Sequence, residues 1–225
     1  MSSKLPALIF DCDGVLVDSE YLASRVESEL TRELGLELTV EEAHDLFLGR
    51  NVDGVLDAIA ARTGKRPPSA FTYNWAFATA QAFKDELHAV PGVRAALEEL
   101  ARRGHRMAVA SQSPLARVRF SLDVAGLESF FGARVYVTSM VPRPKPAPDI
   151  YLHAADALST APARCVVIED SPAGAAAALA AGFRVIGYAP GNTVAAMRAT
   201  GVAVIQSMEG LLEAIAAGTA TLHAG

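Results

Sequence analysis

The stretch "ALIFDCDGVLVDS", residues 7–19, joins four apolar residues to three closely spaced carboxylates. A run that is apolar at every position is typical of a strand buried on both faces of a sheet. Asp11 and Asp13 follow at the point where that strand would end. Carboxylates this close raise one another's pKa unless a cation neutralises them. The stretch is therefore either an acidic turn that faces water or a site that holds a metal ion.

Further apolar runs of strand length follow residue 100, and helix-like stretches separate them. This alternation predicts an α/β fold, a Rossmann-like parallel sheet with helices on both faces, to which "ALIF" contributes the first strand. The later runs are "HRMAVAS" (105–111), "ARVYVTS" (133–139), "RCVVIED" (164–170), "FRVIGYA" (183–189) and "VAVIQS" (202–207).

Residues 20–88 carry no strand pattern and have the character of helices. In "EYLASRVESELTREL" (20–34), apolar residues recur at every fourth position with charges opposite, which is typical of an amphipathic helix. We therefore predict a small all-helical domain inserted after the first strand. Its expected span is 19–89, and the sheet domain is expected to comprise 1–18 and 90–225.

The composition excludes several classes of protein. With 51% hydrophobic and 20% charged residues, the chain of 225 residues is suited to a folded core rather than to disorder. Its net charge of −5 argues against a nucleic-acid partner. The two cysteines form no CxxC pair, and no apolar segment is long enough to span a bilayer. We expect a cytoplasmic protein without a nucleic-acid or membrane partner, either a monomer or a weak homodimer.

Polar side chains follow several of the predicted strands, and ligands of an open parallel sheet bind outside the carboxyl ends of its strands. Each has a structural explanation when taken alone: an acidic turn, a helix cap, a solvated lysine. Together they suit phosphoryl transfer, because carboxylates hold Mg²⁺ while a hydroxyl and an amine contact phosphoryl oxygens. These residues are Asp11, Asp13, Ser111, Lys145, Glu169 and Asp170.

Four segments carry a family resemblance. In order along the chain, "DCDGVLVDS" (11–19), the serine of "ASQS" (110–113), "PKPAPD" (144–149) and "VIEDSPAG" (167–174) resemble the four motifs of the haloacid dehalogenase-like hydrolase superfamily. The closest likeness is to its β-phosphoglucomutase-like branch, which includes sugar-phosphate and 6-phosphogluconate phosphatases. The predicted helical insertion resembles the small cap domain of that superfamily.

The resemblance implies a role for each acid. Asp11 would be the nucleophile that forms an aspartyl-phosphate. Asp13 would protonate the leaving oxygen and then activate water, and its backbone carbonyl would bind Mg²⁺. Asp170 would be a direct metal ligand, and Glu169 either a second ligand or a partner of the ligands.

The resemblance also assigns the phosphate-holding positions to Ser111 and Lys145. Gln112, which follows Ser111 at the end of the same predicted strand, is a further expected substrate contact. It implies an Mg²⁺-dependent phosphatase acting on a small phosphorylated sugar, sugar acid or polyol. A phosphomutase is the alternative, although "DSEYLASR" (18–25) lacks the histidine that such enzymes place soon after the first motif. A non-catalytic binding protein is a further alternative, although every motif acid is present.

Substrate selection is expected from the helical domain. In "FLGRN" (47–51), Gly49 would let the backbone approach a ligand, and Arg50 would bind a second anion or sugar hydroxyls, with Asn51 beside it. Glu20, close to the entry into this domain, is a second candidate. The structural alternative is a turn between helices with a solvated arginine.

Overall fold

The computed structural model describes residues 5–47, 50, 52–191 and 193–221. Within them the chain forms two compact units. A sheet unit comprises the residues up to Val17 and from Ala89 onward, and a helical unit comprises Asp18–His88. Each boundary lies one residue earlier than the sequence predicts. No described helix combines the length and the apolar character needed to cross a membrane.

The sheet unit contains six parallel strands, as the alternating apolar runs predict. Their order is β3-β2-β1-β4-β5-β6, so the first strand lies inside the sheet, between β2 and β4. The strands are β1 (Ala7–Phe10), β2 (Met107–Ser111), β3 (Val135–Val137), β4 (Cys165–Glu169), β5 (Arg184–Tyr188) and β6 (Ala203–Ile205).

The apolar strands are buried because helices pack on the sheet from two sides. Successive strand residues point to opposite faces. Ile9 belongs to the same buried cluster as Tyr151, whereas Phe10 meets Phe131 edge to face at 5.9 Å. The helices of this unit are α5 (Val93–Arg102), α6 (Leu115–Val124), α7 (Glu128–Phe131), α8 (Asp149–Ala157), α9 (Pro172–Ala180), α10 (Val194–Ala199) and α11 (Leu211–Thr221).

The helical unit has its own apolar core, which is formed mainly by buried residues of its second and third helices together with Phe71. Leu30 and Leu34 of the predicted apolar stripe pack against this core, and Leu22 and Val26 are buried. The helices are α1 (Glu20–Arg32), α2 (Val40–Phe47), α3 (Val52–Thr63) and α4 (Ser69–Glu86). The all-helical insertion that the sequence predicts is therefore present.

The register of the central strands brings the predicted site residues to one edge of the sheet. Phe10, the last residue of β1, pairs with Val109 of β2 and with Ile168 of β4. All three strands are parallel, so the residues that follow them emerge on the same side. That edge carries the candidate active site.

Candidate active site

Asp11 is the first residue after the central strand β1. Its backbone N–H donates to the carbonyl oxygen of Ile168 at 2.9 Å, which continues the pairing of β1 with β4 past the end of the strand. The side chain is 14% exposed. Burial raises the pKa of its carboxyl to about 7, although the charge of Lys145 acts in the opposite direction. A further cation beside Asp11 would favour the ionised, nucleophilic form.

Lys145 brings a positive charge to this carboxylate from the loop that precedes α8. Its side chain is 5% exposed, and Nζ donates to Asp11 Oδ1 at 2.8 Å and to Glu169 Oε1 at 2.6 Å. A third, longer contact at 3.3 Å reaches the carbonyl oxygen of Ala110. Burial alone would lower the pKa of Lys145, but the two carboxylates raise it well above its ordinary value. The amine therefore stays charged between the two acids.

Glu169 is fully buried at the end of β4 and accepts hydrogen bonds on both oxygens. Oε1 accepts from Lys145 Nζ and from the Tyr151 hydroxyl, the latter at 2.5 Å. Oε2 accepts from the backbone N–H and the hydroxyl of Ser171 at 3.0 and 2.9 Å. Burial would raise the pKa of Glu169, but Lys145 and these hydrogen bonds lower it.

These contacts bear on the expected metal role of Glu169. A carboxylate offers about four lone-pair positions, and four donors approach Glu169. These contacts suit a Glu169 carboxylate that holds Lys145 in place better than one that binds a metal ion directly. Of the two roles that the sequence leaves open for Glu169, the hydrogen bonds favour that of a partner of the site.

Tyr151 is part of this network and was missed by the sequence analysis. It lies on α8, fully buried, with the Lys145 ammonium 4.9 Å from the centre of its ring. The pattern of "PDIYLHAADAL" predicts a helix, but it does not indicate which aromatic hydroxyl is directed at the strand ends. That direction depends on how α8 packs against the sheet.

The Tyr151→Phe variant tests the network. It removes the hydroxyl that donates to Glu169 and leaves the ring in place, so we expect the free energy of unfolding to fall by about 1–3 kcal/mol. Urea unfolding followed by far-UV circular dichroism measures this change. Tyr73→Phe is the control, because Tyr73 is 73% exposed. Equal unfolding midpoints for Tyr151→Phe and the unmodified protein would contradict the assigned hydrogen bond.

Asp170 completes a group of acids that can hold a cation. One carboxylate oxygen each of Asp11, Glu169 and Asp170 lies within 4.8 Å of the others. Gly14, at φ +76°, makes room for Asp170, since a Cβ at this position would lie 1.9 Å from Asp170 Oδ2. Mg²⁺ is commonly bound by one or two carboxylates plus substrate oxygens and water. Because the Glu169 oxygens are already engaged, Asp11 and Asp170 are the carboxylates that best fit such an ion.

Asp13 is held by groups that follow β2. Its Oδ2 accepts from the Ser113 hydroxyl at 2.7 Å, and its Oδ1 lies 3.5 Å from an amino group of Arg117. The Asp13 side chain does not belong to the group of three carboxylates that could hold a metal. Neither Ser113 nor Arg117 was predicted as a site residue, although Ser113 stands only two positions after Ser111.

Ser111 is the buried last residue of β2, and its hydroxyl oxygen accepts from the Ser113 backbone N–H at 3.1 Å. Gln112 is exposed, and its carbonyl oxygen accepts from the Thr138 hydroxyl at 3.3 Å. The hydroxyl groups of Ser111 and Thr138 therefore both hold the start of the loop that follows β2.

The expected selectivity residues belong to the helical unit. Glu20 is the first residue of α1 and is partly buried. Arg50 is exposed, and its Nε donates to the carbonyl oxygen of Leu46 at 2.7 Å. Gly49 and Asn51 lie outside the described residues.

Comparison with known proteins identifies the family. A profile for haloacid dehalogenase-like hydrolases matches residues 5–182, which include the four motifs, the whole helical unit and the first four strands of the sheet unit. The chain belongs to the haloacid dehalogenase-like hydrolase family. This hydrolase is 36% identical to hexitol phosphatase A of Escherichia coli over 194 residues, which cover 84% of the chain and 86% of the relative. It is 29% identical to 6-phosphogluconate phosphatase of the same organism over 184 residues, covering 81% and 82%.

A solved structure supports the same relationship. The hydrolase resembles a haloacid dehalogenase-family hydrolase of Deinococcus radiodurans, crystallised with bound phosphate and sodium, at a TM-score of 0.75 and 36% identity. The likeness covers 92% of this chain and 93% of that chain. The family and the phosphatase names of its relatives together make the hydrolase an enzyme of the phosphatase type.

Proposed function

We propose that this enzyme is an Mg²⁺-dependent phosphatase that hydrolyses the phosphate ester of a small sugar, sugar acid or polyol through an aspartyl-phosphate. The observation that carries the proposal is the largely buried Asp11 at the end of the central strand, paired with Lys145 and followed two positions later by Asp13. The names of the relatives, a hexitol phosphatase and a 6-phosphogluconate phosphatase, support the substrate class.

In the first step a carboxylate oxygen of Asp11 attacks phosphorus. The bond from phosphorus to the ester oxygen breaks as the new bond forms, and the proton of the Asp13 carboxyl passes to the departing oxygen. The products of this step are the free alcohol, the aspartyl-phosphate on Asp11 and the Asp13 carboxylate. Forming a covalent intermediate divides one difficult displacement into two easier ones.

In the second step water attacks the phosphorus of the aspartyl-phosphate. Asp13 accepts a proton from that water, the bond from phosphorus to Asp11 breaks, and phosphate leaves. Both carboxyls return to their starting states. General acid and base assistance of this kind typically accelerates a step by about 10²–10⁴-fold.

The neighbouring groups neutralise charge during both steps. Lys145 lies against the attacking carboxylate, and the Ser111 hydroxyl lies at the end of the adjacent strand, where both can face phosphoryl oxygens. Asp11 and Asp170, with the backbone carbonyl of Asp13, are the proposed ligands of Mg²⁺, and Glu169 is the proposed partner of Lys145. A bound Mg²⁺ would supply positive charge to the phosphate and to these carboxylates.

Selection among phosphorylated metabolites is proposed to come from the helical unit. Arg50 has a planar guanidinium that suits a second anion or a pair of hydroxyls, and Glu20 can accept hydrogen bonds from sugar hydroxyls. Gly49 and Asn51 flank Arg50 in sequence and complete the proposed set.

A substrate panel with and without metal tests the function. We expect sugar, sugar-acid and polyol phosphates to release inorganic phosphate in Mg²⁺, with activity falling by at least about 100-fold in excess EDTA and returning when Mg²⁺ is restored. The Asp170→Asn variant should require more Mg²⁺ for half-maximal activity, whereas Asp156→Asn, at an exposed position on α8, should not.

The same panel separates the alternatives. Conversion of a sugar phosphate into its isomer without net release of phosphate would indicate a phosphomutase. Binding without turnover across the whole panel would indicate a non-catalytic protein. Full turnover in excess EDTA would remove Mg²⁺ from the proposal.

A further inference from the structure

The Asp13 carboxylate is held at both of its oxygens by the segment that follows β2. The Ser113 hydroxyl donates to Oδ2 at 2.7 Å, and Arg117 lies 3.5 Å from Oδ1. Asp13 and Arg117 are partly buried, with about a quarter of each side chain exposed (26% and 29%). Two contacts on different oxygens restrict rotation about both side-chain bonds of Asp13.

The segment that makes these contacts is itself well fixed. The Ser113 backbone N–H donates to the Ser111 hydroxyl, so Ser113 is anchored to the last residue of a central strand. Pro114 follows as the residue that caps α6, and Arg117 extends from the first turn of that helix. Both contacts on Asp13 therefore come from one stretch of seven residues, 111–117.

The two donors differ in chemistry. A hydroxyl both donates and accepts, so Ser113 can remain hydrogen-bonded to Asp13 whether the carboxyl is ionised or protonated. A guanidinium only donates, so Arg117 can contact only an oxygen that carries no proton. A side chain that gives up a proton in one step and takes one in the next needs partners that hold it in both states.

We infer that Ser113 and Arg117 are positioning residues that hold Asp13 in the orientation from which it protonates the leaving oxygen. This inference rests on the proposed function, in which the Asp13 proton passes to that oxygen as the phosphorus–oxygen bond breaks. A displacement of about 1 Å in a reacting group can cost about 10²-fold in rate, so loss of either contact should slow the step that needs the proton.

The dependence of rate on the leaving group tests the inference. In the fastest sugar or polyol phosphate of the panel, the leaving group is an alkoxide, which needs a proton as it departs. In p-nitrophenyl phosphate the leaving group is a stable phenolate, which departs without one. We expect Ser113→Ala and Arg117→Gln to lower kcat/KM for the alkyl ester by about 10–100-fold, and for the aryl ester by less than about threefold. The comparison uses kcat/KM because hydrolysis of the aspartyl-phosphate, which is common to both substrates, does not enter it when transfer to Asp11 is irreversible.

Matched substitutions on the same helix serve as controls. Ser121 is buried, and its hydroxyl is one of the described side-chain groups that lack a hydrogen-bond partner, so Ser121→Ala removes a hydroxyl without breaking a hydrogen bond. Arg119 is 3.8 Å from Glu128, and Arg119→Gln removes a guanidinium two positions from Arg117. In both controls, the ratio of kcat/KM for the alkyl ester to kcat/KM for the aryl ester should equal that of the unmodified enzyme. Ser113→Thr, which retains a hydroxyl, should restore most of the activity on the alkyl ester.

The Asp13→Asn variant separates this inference from the proposed function. In one outcome Asp13→Asn loses activity selectively on the alkyl ester, whereas Ser113→Ala and Arg117→Gln lose activity equally on both esters or keep it on both. That outcome overturns the positioning role and leaves the proposed function standing. If Asp13→Asn hydrolyses both esters at the rate of the unmodified enzyme, the proposed function fails together with the positioning role. Thermal melting of each variant verifies that the protein is folded. If Ser113→Ala does not fold, Arg117→Gln provides the test.

Discussion

The Asp11→Asn variant is expected to lose turnover by about 10⁴-fold or more, on alkyl and aryl phosphates alike, while the protein stays folded. An amide does not form the acyl-phosphate that the proposed mechanism requires. Its oxygen can still accept the hydrogen bond that Lys145 Nζ donates to Asp11 Oδ1. Because burial raises the pKa of Asp11 to about 7, replacing this carboxyl by a neutral group should cost little stability.

Release of inorganic phosphate and a thermal melt measure the two parts of this prediction. Asp123→Asn is the matched control, because Asp123 is exposed on α6 and should keep both the rate and the melting temperature. Hydroxylamine attacks the acyl carbon of an acyl-phosphate and converts it into a hydroxamate, so rapid quenching followed by hydroxylamine treatment detects the intermediate. Trapping is expected in the unmodified enzyme and not in Asp11→Asn. Undiminished turnover in Asp11→Asn would overturn the covalent mechanism.

The sheet and the acids at its edge could be predicted because they depend on local sequence. "ALIF" is apolar at every position, and Asp11 is the next residue, so burial of the strand places this acid at its end. Glu169 and Asp170 follow from the same argument at β4. Parallel pairing then brings these ends together without any information about side-chain contacts.

Tyr151, Ser113 and Arg117 could not be predicted in this way. Tyr151 contacts Glu169 because of the rotation of α8 about its axis, which is set by packing against the sheet. Arg117 reaches Asp13 across more than a hundred positions of sequence, from a helix whose start is fixed by the loop after β2. A helical pattern gives the face that is buried, but not which polar atom of a neighbouring element it meets.

The role of Glu169 shows the same limit at a residue that was predicted. The sequence places an acid at the end of β4 and leaves open whether it binds metal or supports the residues that do. The choice depends on how many donors surround it, and those donors come from a preceding loop, a helix and the following turn. The number of donors around Glu169 can be read only from the folded structure.

Lys145→Met is expected to destabilise the protein strongly as well as to inactivate it. The lysine side chain is 5% exposed and pairs with Asp11 and with the fully buried Glu169. Removing one partner of a buried ion pair typically costs about 3–5 kcal/mol, because the remaining charge keeps its desolvation penalty without compensation. We expect a loss of this size in the free energy of unfolding, measured with urea and far-UV circular dichroism in EDTA.

A double variant distinguishes this electrostatic cause from a loss of packing. In Lys145→Met with Glu169→Gln, one of the two uncompensated carboxylates is absent, so the double variant should be more stable than Lys145→Met alone. If the cause were only the lost lysine stem, the second substitution would destabilise further, because Glu169→Gln also weakens the contacts of Tyr151 and Ser171. Lys84→Met, at an exposed position on α4, is the control and should change stability by less than about 0.5 kcal/mol. A recovery of stability in the double variant would show that Lys145 makes burial of the acidic site tolerable, a role separate from its proposed contact with phosphate.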